Sequence, residues 1–504
     1  MAINICIFAE IGYNREMKTL AAFLALTLLA GCSASRDATL SGTDGGFRPS
    51  GVSAYSALRG QIDALLPDSL FPPSNASIVV ASLTTGEVLY ALNPGLAFTP
   101  ASNQKLFTSA AALNELGPDY RFVTRAYFDT GSAPRIYVAA SGDPILTSGD
   151  IDSLARRIAS ALPPGRTWAV AGDVSLFDDL PRGRGWSWDD EPDPTGMFIT
   201  PLSVNGNSIR VRVSAGPLPG DSARVTTEPP TRYVQIENSA ITSVDSPRTA
   251  VEVSRKWREH SNVITVSGVV RPADSAVTEE LSVAGPEWYA LSLLREALEA
   301  RGVPCSGVLL DSVPRGLMEI ARCSHGLDSV ITYMNLVSDN LSAENLLKTM
   351  GAERWGRPGT AEGGAQAMRQ VLALYGVDSS SMVIADGSGL SRYNLTSARA
   401  ITTLLTRMAR RDDLFPLWYS TLPVAGKSGT LSSRMKNTPA EGNLRAKTGT
   451  LSGVSSLSGF VTSADGEKLA FSILMQHFPS AARRYRQVQD RIGAFLAGLK
   501  RRDF

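Results

Sequence analysis

The chain changes texture twice along its length, and that pattern restricts the fold more than any other feature. Near the start, Ile78-Val79-Val80 and Val88-Leu89-Tyr90 flank Thr85-Gly86 and read as a β-hairpin. A helical run follows through Leu106, Phe107, Ala110, Leu113 and Leu116, and Gly117-Pro118 stops it. Residues 131–325 differ. Pro and Gly punctuate short β-like runs such as Val211 to Val213 and Val263 to Val270. After Leu327 helical texture returns, with Val330, Ile331, Met334 and Val337 on one face. The pattern predicts further helices over Thr360 to Tyr375, ending at Gly376, and over Thr396 to Arg410. Val454 to Thr462, a turn at Asp465-Gly466 and Leu469 to Met475 form a second hairpin. Tyr485, Val488, Ile492, Phe495, Leu496 and Leu499 mark a closing amphipathic helix. Hairpin and helix at one end thus face helices and hairpin at the other. That split predicts one α/β domain interrupted by an insertion, and 504 residues suit two or three domains.

Hydrophobic residues at 43% and charged residues at 19% fit a globular protein. With 49 basic against 48 acidic residues there is no basic stripe of the kind nucleic acid requires. Before the folded part, Met17-Lys18 precedes an apolar run from Leu20 to Leu29, too short to span ~30 Å of hydrocarbon. It reads as the core of a signal peptide over residues 1–31, with Met17 as the expected true start. Leu29-Ala30-Gly31-Cys32 resembles a bacterial lipoprotein cleavage box, which implies lipid on Cys32. Residues 32–52, rich in Ser, Gly and Thr, then form a lipid-anchored linker. Cys305 and Cys323 are a candidate disulfide in an exported chain, the alternative being two buried thiols. No CxxC or HExxH pattern occurs, so no metal is expected, and the absence of GxSxG argues against an α/β-hydrolase.

Three short motifs could carry chemistry. Ser102-Asn103-Gln104-Lys105 places a hydroxyl and an amine one helical turn apart. A serine needs a base to take its proton, and a lysine serves only if burial or nearby cations depress its pKa. Ser338-Asp339-Asn340 falls where one helix ends and another begins; its hydroxyl could relay protons and its amide hold a carbonyl. Lys447-Thr448-Gly449-Thr450 precedes the run from Val454, which suits an edge strand beside a cleft. A cation and hydroxyls there fit a carboxylate, and Gly449 permits close backbone approach. Taken singly each is ordinary: an N-cap serine, a polar loop, a surface turn. Look-alikes occur at Ser433-Arg434-Met435-Lys436, Ser203-Val204-Asn205 and Lys427-Ser428-Gly429-Thr430. The last is followed by Pro439 and polar residues with no strand, and Ser433 follows Ser338, so neither fits the ordered set. The order SxxK, SxN, KTG, each on its expected element, is far more specific.

The set resembles the penicillin-recognising serine enzymes, and more closely the class C low-molecular-mass penicillin-binding proteins, D-alanyl-D-alanine carboxypeptidase/endopeptidases of the penicillin-binding protein 4 type. Further stretches share the resemblance: Gly142-Asp143-Pro144-Ile145-Leu146, Gly185-Trp186-Ser187-Trp188-Asp189-Asp190, Asp386-Gly387-Ser388-Gly389-Leu390-Ser391-Arg392 and Leu444 to Thr450. It implies a β-lactamase-like domain, a central antiparallel sheet flanked by helices, built from 53–130 and 326–504. Residues 131–325 would be inserted β-rich domains, too long for a compact β-lactamase. It implies Ser102 as nucleophile, Lys105 as general base and Ser338, Asn340 and Lys447 as further catalytic groups. Backbone amides of Ser102 and Thr450 would form the oxyanion hole. Thr448, Gly449 and Thr450 would line the substrate pocket. The DGSG segment at Asp386 reads either as a further pocket wall, the favoured reading, or as a tight turn. The expected partners are peptidoglycan peptides, β-lactams as inhibitors and a membrane reached through the lipid only. No cofactor is implied, and the expected location is the periplasm, anchored to the outer membrane. The rivals are a β-lactamase and a non-catalytic envelope binding protein.

Overall fold

The computed structural model describes residues 55–67, 69–71 and 74–500. The expected leader, Cys32 and the linker through residue 52 lie outside them. Among the described residues no helix is long and apolar enough to cross a membrane.

The first sheet is wholly antiparallel. It joins β1 (Asn75–Ser82), β2 (Val88–Leu92), β15 (Arg445–Leu451), β16 (Val454–Thr462) and β17 (Lys468–Gln476) in the order β15-β16-β17-β1-β2. The early and late hairpins therefore share one sheet. β16 and β17 read as nearly continuous buried runs because helices cover both faces. Side chains alternate between two cores. Ile78 and Val80 pack with α1 (Ser56–Asp63) and α10 (Ala482–Gly498) through Leu58, Ile62, Val488 and Ile492. Val79, between them, points into the other core with α2 (Gln104–Leu116).

The elements between the two hairpins build three more sheets. The second joins β3 (Arg121–Asp129), β4 (Arg135–Ala139), β5 (Trp168–Asp173), β13 (Cys305–Leu310) and β14 (Glu319–Gly326) in the order β13-β5-β4-β3-β14. Pairing thus carries the chain into the second sheet at Arg121 and out of it at Gly326. α3 (Ser148–Ala161) and α4 (Pro286–Glu299) share its core. The third sheet joins β6 (Ser208–Ser214), β7 (Arg224–Glu228) and β12 (Val277–Ser282). The fourth joins β8 (Gln235–Asn238), β9 (Ile241–Thr242), β10 (Ala250–Arg255) and β11 (Val263–Val270). The region is rich in strands as expected, but it also contains two full helices. α3 begins in a Thr147–Asp150 capping box that its sequence spells.

The candidate disulfide is corrected here. Cys305 and Cys323 are free thiols on the two opposite edge strands of the second sheet. Four strand spacings separate them by roughly 19 Å, whereas a disulfide needs α-carbons within ~7 Å.

After β14 the chain is helical: α5 (Leu327–Val337), α6 (Asn340–Trp355), α7 (Ala361–Leu374), α8 (Ala398–Met408) and α9 (Phe415–Ser420). α6 is buried from Asn340 to Ala352 on every side. It is the central helix against which α2, α7 and the active-site loops pack.

Candidate active site

Ser102 lies in a single 3-10 turn, Ala101–Asn103, that feeds directly into α2. Ala101 holds φ at 47°, a left-handed conformation that costs a non-glycine residue energy. The surroundings enforce it. The Pro100 carbonyl accepts from Ser456 Oγ at 2.7 Å, and Asn103 Nδ2 donates to the Lys447 carbonyl at 2.9 Å. One turn on, Lys105 is completely buried, with Nζ 3.1 Å from Ser102 Oγ. The same nitrogen lies 2.6 Å from Asn340 Oδ1 and 2.7 Å from the Ser388 carbonyl. Burial disfavours the ammonium and lowers its pKa to about 8, against the pull of the Asp386, Asp339 and Glu344 carboxylates. The one-turn spacing of the SxxK pair thus brings the amine into contact with the hydroxyl.

Ser338 joins two helices with no linker. It ends α5 in the left-handed conformation at φ 67°, and Asp339 caps α6, accepting from the Ser342 amide at 2.6 Å. This presents the Ser338 hydroxyl 2.8 Å from Lys447 Nζ. Asn340, the first residue of α6, meets Lys105 through Oδ1 and donates from Nδ2 to the Thr195 carbonyl at 2.8 Å. Thr195 comes from the stretch 131–325, so that stretch contributes to the site wall.

Lys447, Thr448, Gly449 and Thr450 occupy β15, the edge strand expected of them. Lys447 is fully buried, and its pKa falls well below the ordinary lysine value, first through burial and then through the charge of Lys105. Thr448 is half-buried and Thr450 exposed. A Cβ on Gly449 would stand 2.2 Å from Ser456 Oγ and 2.9 Å from the Ser102 backbone nitrogen. Only glycine lets this strand press against the serine turn.

Asp386 requires a correction. It was expected on the pocket wall, but it is fully buried and both oxygens are occupied. Trp186 Nε1 donates to it at 2.9 Å, Asn394 Nδ2 at 2.6 Å, and the Gly389 and Ser391 amides at 2.8 and 2.6 Å. Its work is to fold the 386–391 loop, which brings the Ser388 carbonyl to Lys105. Three contributors escaped the sequence reading. Glu344, on α6, accepts from the Gly387 and Ser388 amides, and burial raises its pKa to about 7. Thr195 is the second. The third is Thr430, in the rejected look-alike, whose hydroxyl meets Thr448 Oγ1 at 2.8 Å. Glu344 and Thr195 sit in no motif and left no signal; only the repeated KxGT pattern could have flagged Thr430.

A serine turn, two buried amines and a polar edge strand beside an α/β/α core define a serine peptidase of the penicillin-binding, β-lactamase-like fold. Residues 58–498 match the Peptidase S13 model, the D-Ala-D-Ala carboxypeptidase 3 (S13) family, and the chain belongs to that family. It is 35% identical over 457 residues to the D-alanyl-D-alanine carboxypeptidase of Actinomadura sp. strain R39, covering 86% of this chain and 84% of the relative. The crystal structure of penicillin binding protein 4 from Haemophilus influenzae superposes with a TM-score of 0.73 at 26% identity, over 85% of this chain and 97% of that one. The same H. influenzae protein complexed with a β-lactam shares the fold at a TM-score of 0.68 and 24% identity, with the same coverage. The enzyme is thus a serine-type D-Ala-D-Ala carboxypeptidase by family.

Proposed function

We propose that Ser102 attacks the carbonyl of the penultimate D-alanine in peptides ending in D-Ala-D-Ala. Lys105, neutral in a fraction of molecules near pH 8, takes the hydroxyl proton as the Oγ–C bond forms. Amides of Ser102 and Thr450 receive the oxyanion; one such donor stabilises the transition state by ~3 kcal/mol. Ser338, coupled to Lys447, passes a proton to the leaving nitrogen as the C–N bond breaks and D-alanine departs. Water then hydrolyses the ester and restores Ser102. Asn340 holds the peptide carbonyl through its Nδ2 side, and Thr448 and Thr450 hold the terminal carboxylate. A β-lactam acylates the same oxygen and stalls before hydrolysis.

The observation that carries this reading is the 3.1 Å approach of a fully buried amine to the Ser102 hydroxyl. Ser102→Ala should abolish both D-alanine release and labelling by a fluorescent penicillin. Retained labelling would overturn the nucleophile assignment. The same acyl-enzyme supports endopeptidase cleavage of D-Ala cross-links, and purified cross-linked muropeptides distinguish the two substrates. The second, third and fourth sheets are proposed to form domains inserted into the catalytic one. The envelope location rests on the apolar leader and Cys32. Cys32→Ala should move the protein from the membrane fraction to the soluble fraction of the envelope; an unchanged distribution rules out the lipid anchor.

A further inference from the structure

Away from the active site, the fold gathers a thiol, an imidazole and a carboxylate. Cys323 and His325 stand two residues apart on β14, so they share one side of the second sheet. Asp150 lies in the first turn of α3, which packs against that strand. Cys323 Sγ, a His325 ring nitrogen and an Asp150 carboxylate oxygen all lie within 4.8 Å of one another. They border a cavity of about 380 Å³ open to solvent.

We propose that Asp150, Cys323 and His325 bind a zinc-type divalent transition metal ion, with water as the fourth ligand. Thiolate, imidazole and carboxylate are the donor types zinc takes, and three protein ligands plus water is a common tetrahedral set. The imidazole is already oriented for the task. His325 Nδ1 is hydrogen-bonded to Asp143 at 2.7 Å, and Asp143 is 1% exposed. That buried carboxylate fixes the ring and leaves Nε2 turned toward Asp150, 3.9 Å from its Oδ2. A carboxylate behind a ligating histidine is the usual outer partner at zinc sites. Asp150 is fixed too, since its Oδ2 accepts from the Thr147 amide at 2.9 Å and the Thr147 hydroxyl at 2.5 Å. Binding releases the Cys323 Sγ proton to solvent, together with the Nε2 proton wherever the His325 ring is charged. The resulting thiolate with the Asp150 and Asp143 carboxylates offsets the dication.

Three arginines nearby, Arg121, Arg157 and Arg322, would oppose a cation, but each already has a partner on β14, and Arg322 is paired with Glu319. Arg157 Nη1 donates to the Arg322 carbonyl at 3.2 Å, and Arg121 Nη2 to the Ser324 carbonyl at 3.2 Å. Ordering the cluster would clamp β14 to α3. Cys305, on the far edge of the same sheet, provides an internal control.

The test uses the full chain, stripped with a chelator and then titrated with ZnCl2 or CoCl2. One equivalent of zinc should survive desalting, and cobalt should give a thiolate charge-transfer absorption. Cys323→Ser should abolish that absorption, Cys305→Ser should leave it, and Asp143→Asn should weaken zinc binding by about 10–100-fold. Circular dichroism and gel filtration report whether each variant folds. Zinc should also protect Cys323, and not Cys305, from alkylation in the unmutated protein, which needs no variant. Failure of the unmutated protein to retain zinc, or equal retention after Cys323→Ser, overturns the proposal.

Discussion

Two segments of this chain have nearly the same four residues and opposite fates. Lys447-Thr448-Gly449-Thr450 lies on an edge strand, and its lysine is 0% exposed with Nζ on Ser338. Lys427-Ser428-Gly429-Thr430 lies in a turn, and its lysine side chain is 59% exposed in an ion pair with Glu441 at 2.7 Å. Solvent screens the second amine, so its pair with Glu441 contributes little. Desolvation destabilises the charge of the first, which holds its pKa well below that of an ordinary lysine. The chemistry follows from burial rather than from the motif. The glycines differ in kind as well. Gly449 makes room for the Ser102 turn, whereas Gly429 adopts φ 54° and lies against the Leu336 carbonyl. Nor are the copies independent, because Thr430 meets Thr448.

That contrast can be broken at several points. The largest effect belongs to Lys105→Ala, which should slow acylation by a fluorescent penicillin by about 10²–10⁴-fold. A mutant acylated at the native rate would remove Lys105 as base. With Lys105 as the proposed base, the proton must leave Nζ before Ser102 can react. Acylation should therefore rise with pH through about 8, where the buried amine loses its charge. A flat profile between pH 6 and 9 would contradict a lysine base.

Next comes the paired comparison itself. Lys447→Ala should cost roughly 10²-fold or more in acylation, and Lys427→Ala less than about threefold, the size of a surface ion pair. Equal losses would mean that the motif, not its burial, matters. Gly449→Ala should impair acylation severely through the clash with Ser456 Oγ and the Ser102 nitrogen. Ser456→Gly on that background removes only the first contact and should not restore the rate; full rescue would show that the close approach to Ser102 is unimportant. A modest effect is expected of Thr430→Val, which deletes one half-buried hydrogen bond of about 0.5–1.5 kcal/mol. It should raise KM for D-Ala-D-Ala peptides a few-fold with little change in kcat, and a fall in kcat alone would place Thr430 elsewhere in the cycle.

Local pattern made much of this molecule readable. The hairpins came from alternation and turn residues. α7 and α8 came from apolar periodicity, and their caps fall where Thr360 and Ser397 stand. α6 was far less legible because burial on all sides erases the polar face that periodicity needs. α3 and α4 were hidden in a region whose Pro and Gly content spoke for strands. At the site, Ser102, Lys105, Ser338, Asn340 and Lys447 converge as their motifs imply. Asp386 was placed one layer too far out, because a DGSG turn reads alike whether its carboxylate faces substrate or holds the loop.

The sequence by itself determined the order of the three motifs, the one-turn spacing of Ser102 and Lys105, and the interrupted α/β pattern. These depend on residues close in the chain, where helix and strand periods fix which side chains share a face. Only the tertiary structure decided which KxGT lysine loses its water, that Thr195 and Glu344 complete the site, and that Cys323 lies beside His325 and Asp150 rather than Cys305. Each of these depends on strands and helices far apart in the chain coming into contact, and desolvation and charge pairing are set by those contacts.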